Sequence, residues 1–203
     1  MAATISVERL SPARRDDFLA FFDHEHGPAF ADNPGWAKCY CHFYHVPKAI
    51  VWSSLDGTAN RTAISARIEA AEMDGFLAFA DREVVGWVNA QPYSKLPHCA
   101  SRMGIAAPRL TVAPHLAAAI VCFVIAPDWR RRGVARALLA GALESFATRG
   151  LRLVDAFPFK AGMSTTPTDH YHGPESLFRD AGFDVLSEHK DLTVMRKWLA
   201  VPH

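Results

Sequence analysis

The sequence lacks an excess of charge of either sign. It has 22 lysines and arginines against 21 aspartates and glutamates, and its formal net charge is +1. A protein that binds nucleic acid through the phosphate backbone usually carries a clear basic surplus. The near balance of charge therefore argues against a nucleic-acid-binding protein, and we expect no nucleic acid among its partners.

Long apolar runs and a dense set of cysteines are also missing. No stretch reaches the roughly 18 to 20 apolar residues that cross a bilayer. A signal peptide has a basic start followed by an apolar stretch. The N-terminal segment MAATISVERLSPARRDD has no such stretch. Four cysteines in a chain of 203 residues do not make a disulfide framework. We therefore expect no membrane contact and a cytoplasmic protein with reduced thiols.

What the sequence does contain predicts one mixed α/β domain over residues 1–203. Half of the residues are hydrophobic, which is enough for a proper core. Apolar periodicity and turn residues predict the order β-α-α-β-β-β-α-β-α-β-β. An irregular segment rich in aromatic residues, cysteine and histidine lies at about 27–57, and a loop rich in proline and histidine at about 92–115. The run AAAIVCFVIAP is typical of a central strand buried on both faces.

The segment VIAPDWRRRGVARALLAGAL, residues 124–143, carries the clearest chemical signal. An apolar strand ends at Pro127, a short basic connection follows, and a helix opens at Gly133. The first N–H groups of a helix lack intrahelical partners, the helix dipole adds positive potential, and glycine lets a ligand approach the backbone. These features favour a phosphate site, to which Arg130 and Arg131 add charge. The alternative is a solvated basic helix start.

Other phosphate-binding loops are absent from the sequence, since it contains neither G-x-x-x-x-G-K-[ST] nor G-x-G-x-x-G after a strand. Instead, Arg130-x-x-Gly133-x-Ala135 resembles the acyl-CoA signature of the GNAT superfamily of N-acetyltransferases. The order of elements resembles that family over nearly the whole chain, and SLFRDAGF resembles its LY-x-x-x-GF segment. The resemblance implies a single GNAT-like domain with a mixed central sheet of about seven strands, four flanking helices and two splayed central strands.

The same resemblance implies acetyl-CoA (coenzyme A) as co-substrate, and we expect no metal. Backbone N–H groups from Arg131 to Arg136 would bind the pyrophosphate. Strand 121–126 would splay from 154–157 and pair with the pantetheine arm. An N–H near its end would polarise the thioester carbonyl, an effect worth ~3–4 kcal/mol in hydrolases. The residues implied in cofactor binding are Phe123, Val124, Ile125, Arg130, Arg131, Arg132, Gly133, Val134, Ala135 and Arg136.

The chain departs from the family pattern at its catalytic positions. The central strand AAAIVCFVIAP has no glutamate to act as base, and Phe178 stands where the family has a tyrosine acid. A coenzyme A thiolate, with a pKa near ~8.5, leaves with little help. We predict Tyr171 and His172, in HYHGPES, as candidates for the acid, the alternative being ordinary exposed loop residues. Asp155 is the candidate base or amine ligand.

The segment KCYCHFYH, residues 38–45, allows three interpretations. Cys-x-Cys is too short for the usual zinc knuckle, and direct transfer from a thioester needs no covalent cysteine. An aromatic wall with a few polar groups suits a small-molecule pocket, and core packing is the main alternative. Asn89 and Gln91 alternate on a strand and share one face. The predicted substrate-binding residues are Cys39, Tyr40, Cys41, His42, Asn89 and Gln91.

Together these features predict an acetyl-CoA-dependent N-acetyltransferase that acts on the amine of a small molecule by direct attack on the thioester. The alternative is a non-catalytic acyl-CoA-binding sensor or regulatory module. The absent glutamate and Phe178 favour that alternative. The sequence leaves a homodimer open.

Overall fold

The computed structural model describes residues 4–23, 27–160, 162 and 167–200. The strands are β1 (Ile5–Arg9), β2 (Phe76–Ala80), β3 (Glu83–Pro92), β4 (Ala117–Ile125), β5 (Leu153–Ala156), β6 (Asp184–Glu188) and β7 (Thr193–Trp198). The helices are α1 (Arg15–Phe22), α2 (Gly57–Glu69), α3 (Cys99–Arg102), α4 (Val134–Thr148) and α5 (Glu175–Asp180). No helix among those described is long and apolar enough to cross a bilayer.

The prediction of a mixed seven-stranded sheet is confirmed. Its strand order is β1-β2-β3-β4-β5-β7-β6, and β4 and β5 are parallel whereas the other neighbours are antiparallel. The four predicted helices correspond to α1, α2, α4 and α5. The short α3 lies inside the region predicted as a loop, because a single turn leaves too little periodicity to detect.

Strands β4 and β5 part in the middle of the sheet. They pair over four positions only, from Ala117–Leu153 to Ile120–Ala156, while β4 continues to Ile125. Beyond Ala156 the chain stays with the opposite neighbour, since Phe159 bridges Leu192 next to β7. The expected splay from residue 121 onwards is therefore confirmed. On β5 the expected start of the splay, residue 154, needs a correction, because Val154 is still paired with Ala118.

A β-bulge in β4 lies at the point of separation. Asn89 pairs with Cys122 and Ala90 with Ile120, so Val121 is the extra residue on β4. A bulge bends its strand and increases the local twist. It also puts Val121 and Cys122 in the same core, although neighbours on a strand normally face opposite ways. The bend turns the end of β4 away from β5.

Each face of the sheet has its own apolar core. On one face, Leu138 and Phe146 of α4 pack against β2, β3 and β4. On the other face, Phe18 and Phe22 of α1 pack with Trp87 of β3 and with the irregular segment 27–57. β4 is buried on both faces except at its last residue, which explains its continuous apolar sequence.

A buried ion pair joins β5 to β7. Asp155 and Arg196 are register partners. Arg196 Nε lies 2.7 Å from Oδ1 and Nη2 lies 2.8 Å from Oδ2 of Asp155. The Tyr93 hydroxyl donates to the same Oδ2 at 2.7 Å. Because Asp155 is fully buried, these three donors replace the water that a carboxylate otherwise needs.

Asp155→Asn should lower the free energy of unfolding by about 3–5 kcal/mol, because the Arg196 guanidinium stays buried without its counter-charge. Urea denaturation monitored by circular dichroism measures the change. Asp180→Asn is the matched control, because Asp180 is 64 % exposed, and it should change stability by less than about 0.5 kcal/mol. A cost below 1 kcal/mol for Asp155→Asn would contradict the assigned role.

Candidate active site

A cleft of about 920 Å³ opens where β4 parts from β5. We call it the large cleft. Its walls are the end of β4, the first turn of α4 and the segment that leads into α5. Nine of the ten residues expected at the cofactor line it: Phe123, Val124, Ile125, Arg130, Arg131, Gly133, Val134, Ala135 and Arg136.

The first turn of α4 presents its backbone to the large cleft. Gly133 is the N-cap with φ +84°, a left-handed conformation that glycine adopts without strain. A Cβ at Gly133 would meet nothing within 4 Å, so the space above the peptide is open. The intrahelical bonds begin with Ala137 N–H donating to the Gly133 carbonyl. The preceding N–H groups therefore have no intrahelical acceptor, which suits them to bind an anion.

The arginines around this turn have different roles. Arg130 pairs with Asp32 through both terminal nitrogens, one of them at 2.9 Å, and its Nε lies 3.3 Å from the Ile125 carbonyl oxygen. Arg132 does not line the large cleft, because its guanidinium lies over the Trp129 ring at 5.4 Å. Arg130 thus ties the turn to the irregular segment while it also lines the large cleft.

A second cavity of about 220 Å³ adjoins the large cleft. We call it the aromatic cavity, because six aromatic side chains contribute to its wall. Its lining residues are Phe30, Gly35, Trp36, Lys38, Cys39, Cys41, Phe43, Tyr44, Trp52, Cys122 and Tyr171. Phe30 and Tyr171 also line the large cleft, so the two spaces share a wall. The segment KCYCHFYH forms both cavity wall and core, since Tyr40, Cys41 and Tyr44 are buried.

Two predicted substrate residues lie elsewhere. The Tyr40 hydroxyl donates to Asp23 at 3.0 Å, and His42 Nδ1 lies 2.8 Å from the side-chain oxygen of Asn60. Neither Tyr40 nor His42 is part of the aromatic cavity wall. Both side chains hold the irregular segment against the helices instead. Cys39 and Cys41 do line the cavity, as the sequence analysis expected.

Asn89 and Gln91 are fully buried and line neither cavity. Gln91 Nε2 donates to His45 Nε2 at 3.2 Å and to Asn89 Oδ1 at 2.7 Å. Asn89 Nδ2 in turn lies 3.3 Å from Cys41 Sγ. The shared face was predicted correctly, but strand alternation does not reveal how deep that face lies. These amides position Cys41, and the structure does not support substrate contact.

A tyrosine–histidine pair lies at the edge of the aromatic cavity. The Tyr44 hydroxyl lies 3.0 Å from His172 Nε2, and both side chains are buried. Burial lowers the pKa of His172 to about 3 and raises the pKa of Tyr44 well above its ordinary value. His172 is therefore neutral at pH 7, and its tautomer decides whether Nε2 accepts from the tyrosine hydroxyl or donates to it. Its neighbour Tyr171 lines both cavities.

Sequence reasoning missed Tyr44, which lies 128 positions before His172. The only signal was the aromatic richness of its segment. Two further positions considered for catalysis, those of Asp155 and Phe178, are not accessible from either cavity. Asp155 lines neither cavity and is neutralised by Arg196, which does not support the expected role as base. Phe178 is fully buried, with ring-centroid distances of 6.2 Å to Phe123 and 5.4 Å to Phe183.

Metal binding by the KCYCHFYH region finds no support in the described ranges. No three side chains of histidine, cysteine, aspartate or glutamate come together there in a way that could hold a metal ion. The four cysteines are free thiols.

Comparisons with known proteins agree on one family. The sequence matches the family model described as Acetyltransferase (GNAT) family over residues 36–165. No curated protein sequence matches at a significant level. Structures that share the fold include a GNAT-family acetyltransferase from Streptococcus pneumoniae, with 14 % identity, 97 % of this chain and 100 % of that chain covered, and a TM-score of 0.53.

Two further structural matches have named activities. PaiA N-acetyltransferase from Thermoplasma acidophilum, determined in complex with coenzyme A, is 14 % identical over 96 % of this chain and 99 % of its own, with a TM-score of 0.54. The ribosomal-protein-S18-alanine N-acetyltransferase from Escherichia coli is 11 % identical over 98 % of this chain and 97 % of its own, with a TM-score of 0.52. At these identities the likeness shows the fold alone.

The buried histidines should make stability depend on pH. Burial is the main cause that lowers the pKa values of His45 and His172, both to about 3, against ~6.5 in an unfolded chain. Between those values the unfolded chain binds protons that the folded one does not. Stability should therefore fall as pH decreases below about 6.5, by up to ~1.4 kcal/mol per pH unit for each histidine.

His172→Gln should remove one of these two contributions while keeping a hydrogen-bond partner for Tyr44. Urea denaturation at several pH values between 6.5 and 4.5 gives the slope. His115→Gln, at an exposed position, is the matched control and should keep the parent slope. An unchanged slope in His172→Gln would refute the buried neutral imidazole.

Proposed function

The chain belongs to the acetyltransferase (GNAT) family, and we propose that it transfers an acetyl group from acetyl-CoA to the amine of a small molecule by direct attack on the thioester. One observation carries the proposal. The anion-binding start of α4 opens into a cleft that shares the walls Phe30 and Tyr171 with a small aromatic cavity. A phosphate-bearing acyl donor and a small acceptor therefore have adjoining sites.

The large cleft suits coenzyme A in shape and chemistry. Its volume of about 920 Å³ lies at the upper end of the ~300–1,000 Å³ found for ligand pockets. The backbone from Arg131 to Arg136 would hold the pyrophosphate, since the open space above Gly133 admits a close approach. The end of β4, from Phe123 to Ile125, would present backbone groups to the pantetheine arm. When bound, acetyl-CoA supplies the acetyl thioester.

The aromatic cavity supports a small acceptor with an apolar body. Its volume of about 220 Å³ lies below the range of drug-sized ligand sites. Aromatic walls bury apolar surface, and their faces also attract cations. We infer that the acceptor is a small amine whose nitrogen points towards the wall shared with the large cleft.

Tyr44 is suited to orient that amine. Its hydroxyl is hydrogen-bonded to the neutral His172 Nε2, and its oxygen keeps at least one lone pair available as an acceptor in either histidine tautomer. An amine N–H that enters the aromatic cavity has an acceptor there. His172 acts through Tyr44 as a positioning residue, and Tyr171 shapes the passage between the two spaces.

Gly133→Glu should weaken coenzyme A binding by at least about 100-fold, equivalent to ~2.7 kcal/mol, because it places a negative charge in the proposed phosphate site. Gly150→Glu is the matched control. Gly150 also has a positive φ of +77° and open space around its Cβ position, but it lies at the opposite end of α4. Calorimetric titration of coenzyme A and acetyl-CoA measures both variants. Equal binding by the two variants would refute the phosphate site.

Tyr44→Phe should raise the acceptor KM about 3- to 10-fold, the effect of one lost hydrogen bond of ~0.5–1.5 kcal/mol. Coenzyme A affinity should stay within twofold. A thiol-release assay across a panel of small amines finds the acceptor and then measures the kinetics. A fall in kcat at unchanged KM would contradict the orienting role.

The same assay separates the enzyme from the acyl-CoA-binding sensor. An enzyme releases the coenzyme thiol with at least one amine of the panel, whereas a sensor binds acetyl-CoA and turns none over. If the protein binds neither coenzyme A nor acetyl-CoA, the enzyme proposal and the sensor alternative are both overturned.

A further inference from the structure

We propose that Cys41 and Cys122 form an oxidisable dithiol, which a hydroperoxide converts to a disulfide across the floor of the aromatic cavity. Both residues line that cavity. Cys41 comes from the irregular segment and Cys122 from the bulge of β4. Whether the Cys41–Cys122 disulfide forms does not depend on the proposed function. Its effect on the acceptor rests on that function.

Asn89 brings the two sulfurs together. It is the register partner of Cys122 on the neighbouring strand, and such partners have Cβ atoms ~4.5–5.5 Å apart. Its side-chain Nδ2 lies 3.3 Å from Cys41 Sγ. Cys122 and Cys41 also influence each other's pKa, as neighbouring thiols do. The bulge contributes directly, because the extra residue Val121 sets the register in which Cys122 faces Cys41.

The backbone at Cys41 is held in an unusual conformation. Tyr40 and Cys41 have φ values of 45° and 55°, and the left-handed region costs a non-glycine residue roughly 1–2 kcal/mol. Two successive residues of this kind form a sharp turn that directs Cys41 into the sheet. Contacts on both sides hold the turn: Tyr40 bonds to Asp23, and Asn89 lies against the sulfur. Such strain persists where surrounding contacts fix it.

The two thiols differ in acidity. Burial, the largest influence, raises the pKa of Cys41, but the polar hydrogens of Cys122, Trp87 and Asn89 around its sulfur bring it below the ordinary value. The neighbouring Cys41 and burial raise the pKa of Cys122. A thiol of lowered pKa beside a thiol of raised pKa is the arrangement of a peroxide-reactive cysteine with its resolving partner.

The reaction balances with a hydroperoxide as the oxidant. The Cys41 thiolate attacks one peroxide oxygen, the O–O bond breaks, and the leaving alkoxide takes a proton, which leaves Cys41 as a sulfenic acid. The Cys122 sulfur then attacks the Cys41 sulfur. The S–O bond breaks, the S–S bond forms, and water leaves with the Cys122 proton. Two thiols are oxidised by two electrons, and the hydroperoxide is reduced to an alcohol and water.

The other two cysteines provide internal comparisons. Cys99 begins α3 and lines neither cavity. Cys39 also lines the aromatic cavity, and desolvation raises its pKa to about 12, so it resembles Cys122 as a protonated thiol and lies two residues from Cys41 in the chain. A disulfide between Cys39 and Cys41 is therefore the rival outcome that an experiment must distinguish.

The test oxidises the reduced full-length protein with hydrogen peroxide or tert-butyl hydroperoxide. Intact mass spectrometry, maleimide counting of free thiols and fragmentation of cross-linked peptides are the readouts. We expect a loss of two hydrogen masses, a fall from four free thiols to two, and a peptide that joins Cys41 to Cys122. Dithiothreitol should reverse each change. Cys41→Ser and Cys122→Ser should both abolish the cross-link, whereas the matched control Cys99→Ser should keep it.

A Cys39–Cys41 link, a sulfinic acid at Cys41 with Cys122 still reduced, or no reaction of the wild-type protein would each overturn the proposal. The mass of the wild-type protein decides this even where a variant fails to fold.

A functional measurement on the same samples tests the consequence. Oxidation should lower acetylation of the acceptor at least tenfold while coenzyme A affinity stays within threefold, because the bond crosses the aromatic cavity and not the large cleft. Unchanged acetylation in the cross-linked protein would overturn this consequence. Loss of coenzyme A binding by the reduced protein would instead count against the proposed function, and the mass result would still decide the dithiol.

Discussion

The separation of β4 from β5 is the constraint on which the site depends. Pairing ends at Ile120–Ala156, and the extra residue Val121 bends β4 at that same point. A continuous sheet would leave no space between these strands. The bend creates the large cleft on one side and, by directing Cys122 into the opposite core, sets the floor of the aromatic cavity. One local irregularity in the ladder thus defines both spaces.

The sequence predicted what depends on neighbouring residues. The order of helices and strands along the chain, the burial of β4 on both faces and the opening of α4 at Gly133 follow from periodicity and from the conformational freedom of glycine, which act over a few positions. The bulge at Val121 was not predictable in the same way, since VCF continues an apolar run without interruption. The bulge is defined by how β4 pairs with β3, for example Cys122 with Asn89. The spacing of residues along β4 alone does not reveal that pairing.

The polar residues of the site show why the remainder needed the structure. Asp155, Asn89 and Gln91 were assigned to chemistry because polar groups on central strands often face a ligand. Their actual partners are an arginine on β7, a histidine and a cysteine of the irregular segment, all distant in sequence. A buried polar side chain needs a partner, but the sequence does not show whether that partner is protein or ligand. Tyr44 and His172 are a further example, because they are each other's partners although they lie 128 positions apart in the sequence.

The irregular segment 27–57 connects the two halves of the site. Asp32 pairs with Arg130 at the anion-binding turn, and Phe30, two residues earlier, forms part of the wall between the large cleft and the aromatic cavity. The same segment supplies Cys41 and Tyr44 to the aromatic cavity. Because Arg130 also bonds to the Ile125 carbonyl at the end of β4, displacement of this arginine would disturb the turn, the strand end and the shared wall together. The aromatic cavity therefore takes its shape partly from the same arginine that borders the large cleft.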